Sequence, residues 1–202
     1  MNFSLVMVGA HDGSKTSSFI HECAAQGKVL LLEPVPYLFE RLAQRFAGAE
    51  NVICLNEAIS DVIGSVDFYM PSPDANEIAS YGDQIGSLHA DHAVLHNPGF
   101  KEKIRKVKVK SRTMYSLMAD YDIRRIDVLW TDMEGYDATC LLGFPFFLVK
   151  PGQILFEAKH ADGMMRIGKK FATLLLLLEE LNYRVKIHDK ENCLATLAPP
   201  PA

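Results

Sequence analysis

The residues best able to do chemistry come directly after short apolar runs. Gly9 and Gly13 flank a turn that follows the run at residues 3–8. Glycine lets a backbone turn tightly and approach a ligand, because no Cβ stands in the way. Glu33 follows the next run, 24 positions after Gly9, where nucleotide-binding folds place an acid that accepts hydrogen bonds from ribose hydroxyls. Taken singly, the glycines are consistent with a structural turn and Glu33 with a solvated carboxylate.

Polar residues also follow the later apolar runs. Residues 56–60 mix polar and small side chains that can bound an adenine ring, and Asp132 and Glu134 follow the run at residues 126–130. Glu157 and His160 follow the run at residues 154–156. Carboxylates and imidazoles can act as general bases at such positions. For Asp132 the structural alternative is a cap on the next helix.

The histidines at positions 89, 92 and 96 are spaced to share one face if this segment is helical, a spacing able to ligate zinc. The favoured interpretation is that these histidines are solvated or contact an acceptor.

The surrounding sequence predicts the elements that position these residues. Short, fully apolar runs alternate with amphipathic segments, a pattern typical of a parallel sheet covered by helices on both faces. In such sheets ligands bind beyond the carboxyl ends of the strands. Residues 183–187 and 194–197 predict a closing antiparallel strand pair. Predicted helices cover residues 14–26, 36–46, 137–148, with an interruption near Pro145, and 164–181.

One long segment interrupts this pattern. Residues 66–70 and 107–110 alternate apolar and polar residues, as half-exposed antiparallel strands do. Between them, residues 71–106 are rich in turn-forming residues, and we call this segment the lid because such long loops usually cover a site. We expect one domain over residues 1–198 with the lid inserted in it, and a disordered tail over residues 199–202.

The composition excludes several classes. With 49% hydrophobic and 23% charged residues and a net charge of −4, the 202-residue chain resembles ordinary globular proteins and has no general attraction for nucleic acid or membranes. Four scattered cysteines predict reduced, buried thiols. The start of the chain predicts a strand and not a signal peptide. We therefore expect a soluble, cytoplasmic protein without nucleic-acid or membrane partners, and leave its oligomeric state open, a homodimer being one alternative.

In this order along the chain, these motifs resemble the FkbM family of S-adenosylmethionine-dependent methyltransferases. The resemblance extends from about residue 5 to residue 160, and its most specific parts are Glu33-Pro34 and the pattern of Asp132, Glu134 and Gly135. Met7 and Thr131 depart from the family pattern, which usually has an acid and a lysine there. The motifs lie at residues 8–13, 32–34, 55–60, 127–135 and 155–157.

The resemblance implies an α/β class I methyltransferase fold, Rossmann-like, with a mainly parallel seven-stranded sheet and an antiparallel C-terminal strand pair. It implies that the first loop, residues 9–13, faces the methionine part of the cofactor. It also implies that Glu33 and Pro34, in the second loop, face the ribose, and that residues 56–58, in the third loop, face the adenine. Asp132 would lie near the sulfonium and the acceptor. The implied cofactor-binding residues are Gly9, Ala10, His11, Gly13, Glu33, Pro34, Asn56, Glu57, Ala58 and Asp132.

The predicted activity is O-methylation of a small hydroxylated acceptor, a sugar or a glycosylated metabolite. Because a sugar hydroxyl is a poor nucleophile, the site needs a general base or a metal. The candidate catalytic residues are Asp132, Glu134 and His160, and Asp132 with Glu157 resembles the magnesium site of catechol-type O-methyltransferases. The alternatives are an N-methyltransferase, a catalytically degenerate cofactor-binding module, and an NAD-dependent enzyme, which the incomplete glycine fingerprint disfavours.

Overall fold

The computed structural model describes residues 1–162 and 168–199. The described strands are β1 (Asn2–Val8), β2 (Lys28–Leu32), β3 (Val52–Leu55), β4 (Ala58–Ile59), β5 (Gly64–Pro71), β6 (Ile104–Arg112), β7 (Arg125–Thr131), β8 (Gln153–Glu157), β9 (Tyr183–Ile187) and β10 (Asn192–Leu197). The α-helices are α1 (Ser17–Gln26), α2 (Pro36–Arg45), α3 (His92–His96), α4 (Met114–Asp120), α5 (Asp137–Leu142) and α6 (Lys169–Glu180).

Seven strands form the main sheet, in the order β3-β2-β1-β7-β8-β10-β9. The first five in this order pair in parallel, whereas β10 runs antiparallel to both β8 and β9. This sheet confirms the predicted fold class. Because the chain leaves β1 toward β2 and later returns to the other side of β1 as β7, the switch point lies between β1 and β7.

The apolar strands divide the core into two layers. Phe3, Val6 and Val8 of β1 pack on one face with α4, α5 and α6, whereas Leu5 and Met7 pack on the other face with α1 and α2. Every β1 residue after the first is buried, as expected for a strand covered on both faces. Burial of each such large side chain contributes about 1.5–3 kcal/mol, so the strand that carries the first loop is firmly held.

A second sheet of three strands, in the order β4-β6-β5, stands beside the main one. Its antiparallel β5–β6 pair confirms the half-exposed strands predicted around the lid. Contrary to its weak sequence periodicity, the lid is locally ordered. It contains α3 and two 3-10 helices, Ala75–Glu77 and Pro98–Lys103, around a small apolar cluster of its own formed by Ala75, Ile85, Ala93 and Phe100.

Several predicted boundaries need correction. The first helix begins at Ser17 instead of residue 14. Helix α5 ends at Leu142, just before the predicted interruption near Pro145, and residues 143–149 form turns instead of more helix. Pro145 lacks the N–H that a continuing helix needs. The last helix begins at Lys169; the predicted start at residues 164–167 lies outside the described residues, as does the tail at residues 200–202. Helix α4 was not predicted.

The structure also bears on two predictions from the composition, on membrane spans and on the cysteines. In the described part of the chain, no helix has both the length and the apolar character needed to cross a membrane. All four cysteines are free thiols, and three of them are buried, whereas Cys54 is only partly covered.

Candidate functional site

A cavity of about 420 Å³ opens where β1, β2 and β7 end. Its size falls within the range of roughly 300–1,000 Å³ that is usual for small-molecule sites. Of the residues singled out from the sequence, ten line it: Gly9, Ala10, His11, Gly13, Glu33, Pro34, Glu57, Ala58, Asp132 and Glu134. As far as the described residues define the lining, Asn56, Glu157 and His160 are not part of it.

The glycine turn brings the first loop into contact with the fourth loop, which follows β7. Gly9 and Gly13 have φ of +83° and +70°, in the left-handed region that favours glycine. A Cβ on Gly9 would lie 1.8 Å from the backbone oxygen of Asp132. The N–H groups of Gly9 and Ala10 both donate to Leu32 O, at 3.0 and 2.9 Å, which ties the turn to the end of β2. Glycine at position 9 is therefore a steric requirement of this site.

Glu33 joins the first loop to the second. It is only 5% exposed and accepts hydrogen bonds from the N–H groups of His11 and Val35, each at 2.8 Å. Burial raises the pKa of Glu33 to about 7, although the two backbone donors oppose the shift. This carboxyl group thus shapes the cavity wall and holds the two loops together.

Of the three residues predicted to lie against an adenine ring, Glu57 and Ala58 line the cavity, whereas Asn56 does not among the described residues. Asn56 Nδ2 donates to Glu33 O at 2.9 Å and to Pro34 O at 3.2 Å, so it joins two loops from outside the lining. Glu57 lines the cavity, but its carboxylate pairs with Lys110 and Arg112 of β6. Burial raises the pKa of Glu57, but these two cations outweigh it and leave that pKa below its usual value. Ala58 lines the cavity without polar contacts of its side chain.

Asp132 occupies the end of β7. Its N–H donates to Val8 O at 2.9 Å, and its side chain is exposed to the cavity, where protein groups surround it. Burial among these groups, followed by the charge of Glu191, raises the pKa of Asp132 to about 6. The alternative that Asp132 caps the next helix is wrong, because α5 begins at Asp137 and it is Asp137 that accepts from the N–H of Met133, at 3.0 Å.

Glu134 meets the lid histidines. Its φ of +47° is strained for a residue with a side chain, and strain of this kind concentrates at functional sites. Glu134 Oε2 lies 2.7 Å from His92 Nε2, and His92 Nε2 lies 3.0 Å from His96 Nε2. Burial, followed by Asp132 and Asp137, raises the pKa of Glu134 well above its usual value. Burial and the neighbouring His96 lower the pKa of His92 to about 3.

The interpretation of the lid histidines as solvated is therefore wrong for the helical pair. His92 is completely buried and the side chain of His96 is 11% exposed. His89 precedes α3 and contacts the backbone, with Nε2 3.1 Å from Gly135 O. The lid docks onto the turn after β7 because Ser87 Oγ also donates to Glu134 O at 2.7 Å.

His160 and Glu157 lie beside this histidine pair. The ring of His160 stands 4.7 Å from that of His96 and 5.3 Å from that of His92, centre to centre. Burial lowers the pKa of His160 to about 4, and burial followed by the charge of Glu134 raises the pKa of Glu157 to about 10. Both residues are almost fully buried, and neither belongs to the cavity lining among the described residues.

Several lining residues were not predicted. Lid residues Asp83 and Gln84 form part of the wall: Gln84 Oε1 accepts from Lys15 Nζ at 2.6 Å, and Asp83 Oδ1 lies 3.6 Å from His11 Nε2. Glu191, from the turn between β9 and β10, also reaches the lining. These residues are distant in sequence from the glycine turn, and no local pattern marks them.

Comparison with known proteins identifies the family. The model of the methyltransferase FkbM domain matches residues 8–185. The 2-O-methyltransferase NoeI of Sinorhizobium fredii (strain NBRC 101917 / NGR234) is 23% identical over 150 residues, covering 74% of this chain and 60% of NoeI. This chain thus spans 60% of the length of that relative.

Solved structures resemble this chain at low sequence identity. An O-methyltransferase from Bacillus cereus in complex with SAH is 9% identical, with a TM-score of 0.50 over 96% of this chain and 73% of the other. The fibrillarin pre-rRNA processing protein of Methanococcus jannaschii is 16% identical, with a TM-score of 0.49 over 97% of this chain and 66% of the other. The antiparallel β10 also separates the sheet from the dinucleotide-binding order, which disfavours the NAD-dependent alternative. The chain therefore has a class I methyltransferase fold and belongs to the FkbM methyltransferase family.

Proposed function

We propose that this chain is an S-adenosylmethionine-dependent O-methyltransferase that acts on a hydroxyl of a small acceptor, a sugar or a glycosylated metabolite. The observation that carries the proposal is the position of Asp132. Asp132 lines the cavity, and its backbone lies directly beside Gly9. Among the described residues, none forms a hydrogen bond with its carboxylate. A carboxylate in this position is available to a ligand.

The residues of the cavity fit the cofactor. Gly9 lines the cavity without a side chain, and Glu33 is a buried acid at the predicted ribose position. Val35, Leu38 and Phe68 add apolar wall beside Ala58, where a flat adenine ring would pack. When bound, S-adenosylmethionine supplies an electrophilic methyl group. The remaining tasks of the chain are to align the acceptor and to remove its proton.

Asp132 is proposed for that proton transfer. Burial raises its pKa to about 6, close to the pH at which a general base has to work. Glu134 lies two residues away and also lines the cavity, but His92 engages its carboxylate. His160 lies behind the lid histidines, so we propose a supporting role for it instead of direct contact with the acceptor. The similarity to NoeI, a 2-O-methyltransferase, supports transfer to oxygen.

The cofactor site can be tested by calorimetry with S-adenosylmethionine, its demethylated product and NAD. We expect the first two to bind and NAD not to bind. Glu33→Ala should weaken binding of the demethylated product by about 1–3 kcal/mol, because a buried hydrogen-bond acceptor is lost. Glu40→Ala, an exposed glutamate on α2, is the matched control and should bind as the wild type does. Equal affinity of both variants would contradict the assigned site.

Catalysis can be tested with Asp132→Asn, which keeps the shape of the side chain and removes its basicity. With a hydroxylated acceptor we expect turnover to fall by roughly 10²-fold or more, while the variant stays folded. Product analysis of a panel of sugar and amine acceptors separates the alternatives. Methylation of amines that survives in the variant would favour the N-methyltransferase, because a neutral amine needs no strong base. Cofactor binding without methylation of any acceptor would favour the degenerate module.

A further inference from the structure

The lid and the turn after β7 bring three metal-ligating groups together. His92 and His96 lie one helical turn apart on α3, and Glu134 approaches them from the opposite side. The separations are 2.7 Å between His92 Nε2 and Glu134 Oε2, 3.0 Å between the two Nε2 atoms, and 3.8 Å between His96 Nε2 and Glu134 Oε2. In the part of the chain that the structure describes, these are the three residues whose ligand atoms meet closely enough to hold one ion.

The distances match the size of a metal ion. A circle through three points with these separations has a radius of roughly 1.9 Å, and zinc binds imidazole nitrogen at about 2.0–2.1 Å and carboxylate oxygen at about 2.0–2.2 Å. An ion close to the centre of this triangle is therefore at bonding distance from all three atoms. No rearrangement of α3 against the turn is needed.

Hydrogen bonding alone leaves the group unsatisfied. His92 Nε2 stands within hydrogen-bond distance of both Glu134 Oε2 and His96 Nε2. A neutral ring nitrogen either donates one N–H or accepts with one lone pair, so it cannot fully serve both partners. His92 is completely buried, and an unmade hydrogen bond there costs free energy. A cation shared by all three atoms removes this conflict.

The backbone around the group is also specialised. Glu134 adopts its strained left-handed conformation and so directs its carboxylate at the lid, and the next residue, Gly135, continues the turn with φ of +98°. Ser87 and His89 fasten the lid to the backbone oxygens of the same two residues. His160, whose ring stands beside those of His92 and His96, lies 3.7 Å from Glu157 Oε1, and the described residues supply no hydrogen-bond partner for Glu157 Oε2.

We propose that His92, His96 and Glu134 bind a divalent transition-metal cation of the zinc type, which holds the lid closed at the Asp132 end of the cavity. Two imidazole nitrogens select zinc, cobalt or iron over magnesium and calcium, which prefer all-oxygen sites. This site differs from the magnesium site predicted on Asp132 and Glu157. It also stands independently of the proposed function, because its formation requires neither methyl donor nor acceptor.

The test measures metal binding by the whole chain without cofactor or acceptor. Protein treated with a chelator is dialysed against Zn²⁺ and its bound zinc is counted, and Co²⁺ is titrated in parallel while its visible absorption reports the ligand geometry. We expect one equivalent of bound metal and a rise in melting temperature on adding Zn²⁺, because binding stabilises the folded state. His96→Gln and Glu134→Gln should each weaken binding at least 10-fold and abolish that rise.

His188→Gln is the matched control, because His188 is exposed after β9 and far from the lid in sequence. It should bind metal as the wild type does. Far-ultraviolet circular dichroism establishes that each variant is folded before metal is added, and two separate ligand variants guard against the failure of either one. Metal binding that is absent in the wild type, or equally strong in His96→Gln and Glu134→Gln, would overturn the proposal.

Discussion

Replacing Gly9 with alanine should damage both the fold and the cofactor site. The φ of +83° at Gly9 costs a residue with a Cβ about 1–2 kcal/mol. The added Cβ would stand 1.8 Å from Asp132 O, whereas real Cβ atoms essentially never come within 3.0 Å of another heavy atom. The backbone of Asp132 must then retreat by more than 1 Å, the difference between these two distances. Overpacking of this kind costs about 1–3 kcal/mol.

The two costs together predict a loss of about 2–5 kcal/mol in the free energy of unfolding. The function should suffer as well. The N–H of Asp132 donates to Val8 O, so a displaced Asp132 disturbs the pairing of β1 with β7 at the mouth of the cavity. A misplacement of about 1 Å at a catalytic group can lower turnover about 10²-fold.

Urea unfolding and calorimetry with the demethylated cofactor measure these effects. Gly48→Ala is the control: a Cβ there has nothing within 4 Å, and its φ lies outside the left-handed region. We expect the control to stay within about 0.5 kcal/mol of the wild type in unfolding free energy. If Gly9→Ala unfolds at the same urea concentration as the wild type and binds the cofactor equally well, the steric argument for the glycine turn is refuted.

Two further predictions concern Glu33 and the lid. Folding raises the pKa of Glu33 from its ordinary value of 4.5 to about 7, so the unfolded chain loses this proton at lower pH than the folded chain. The free energy of unfolding of the ligand-free wild type should therefore fall as the pH rises from 4.5 to 7. Urea unfolding at pH 5 and at pH 8 measures this loss of unfolding free energy, which should be about 2–3 kcal/mol smaller in Glu33→Gln than in the wild type. An equal loss in both proteins would contradict the raised pKa. Ser87→Ala removes the hydrogen bond from Ser87 Oγ to Glu134 O, which fastens the lid. We expect the KM for the acceptor to rise more than the KM for the cofactor, each measured with the other substrate at saturation. An equal rise in both would contradict a lid that covers mainly the acceptor.

The main sheet was predictable because its signals are local. The apolar runs of β1 and β2 are buried only if helices pack on both faces of the sheet. The glycine turn and Glu33 then follow at the carboxyl ends of these two adjacent parallel strands. Ten of the residues singled out from this reasoning line the cavity. Helix α4 escaped prediction because its packing against the sheet decided it.

The lid shows where sequence reasoning stops. Its turn-forming residues predict a loop, yet Ile85, Ala93 and Phe100 pack together into a small cluster that no periodic pattern announces. This cluster sets α3 against the turn after β7 and brings His92 within 2.7 Å of Glu134, although 42 positions separate them. Their meeting depends on the left-handed backbone of Glu134, which the sequence does not reveal in a residue with a side chain.

From its residues alone, the chain is a doubly covered α/β domain with a glycine turn, an acid after β2 and carboxylates after β7, because strand order, helix periodicity and turn chemistry are encoded over a few neighbouring positions. Which carboxylate at the strand ends stays free in the cavity and which is engaged depends on long-range contacts. Asp132 lines the cavity without a side-chain hydrogen bond among the described residues, Glu57 is paired with Arg112, and Glu134 is held by a lid histidine. Such assignments arise only when segments distant in sequence pack together, because burial and charge at each group are set by neighbours that the local sequence does not contain.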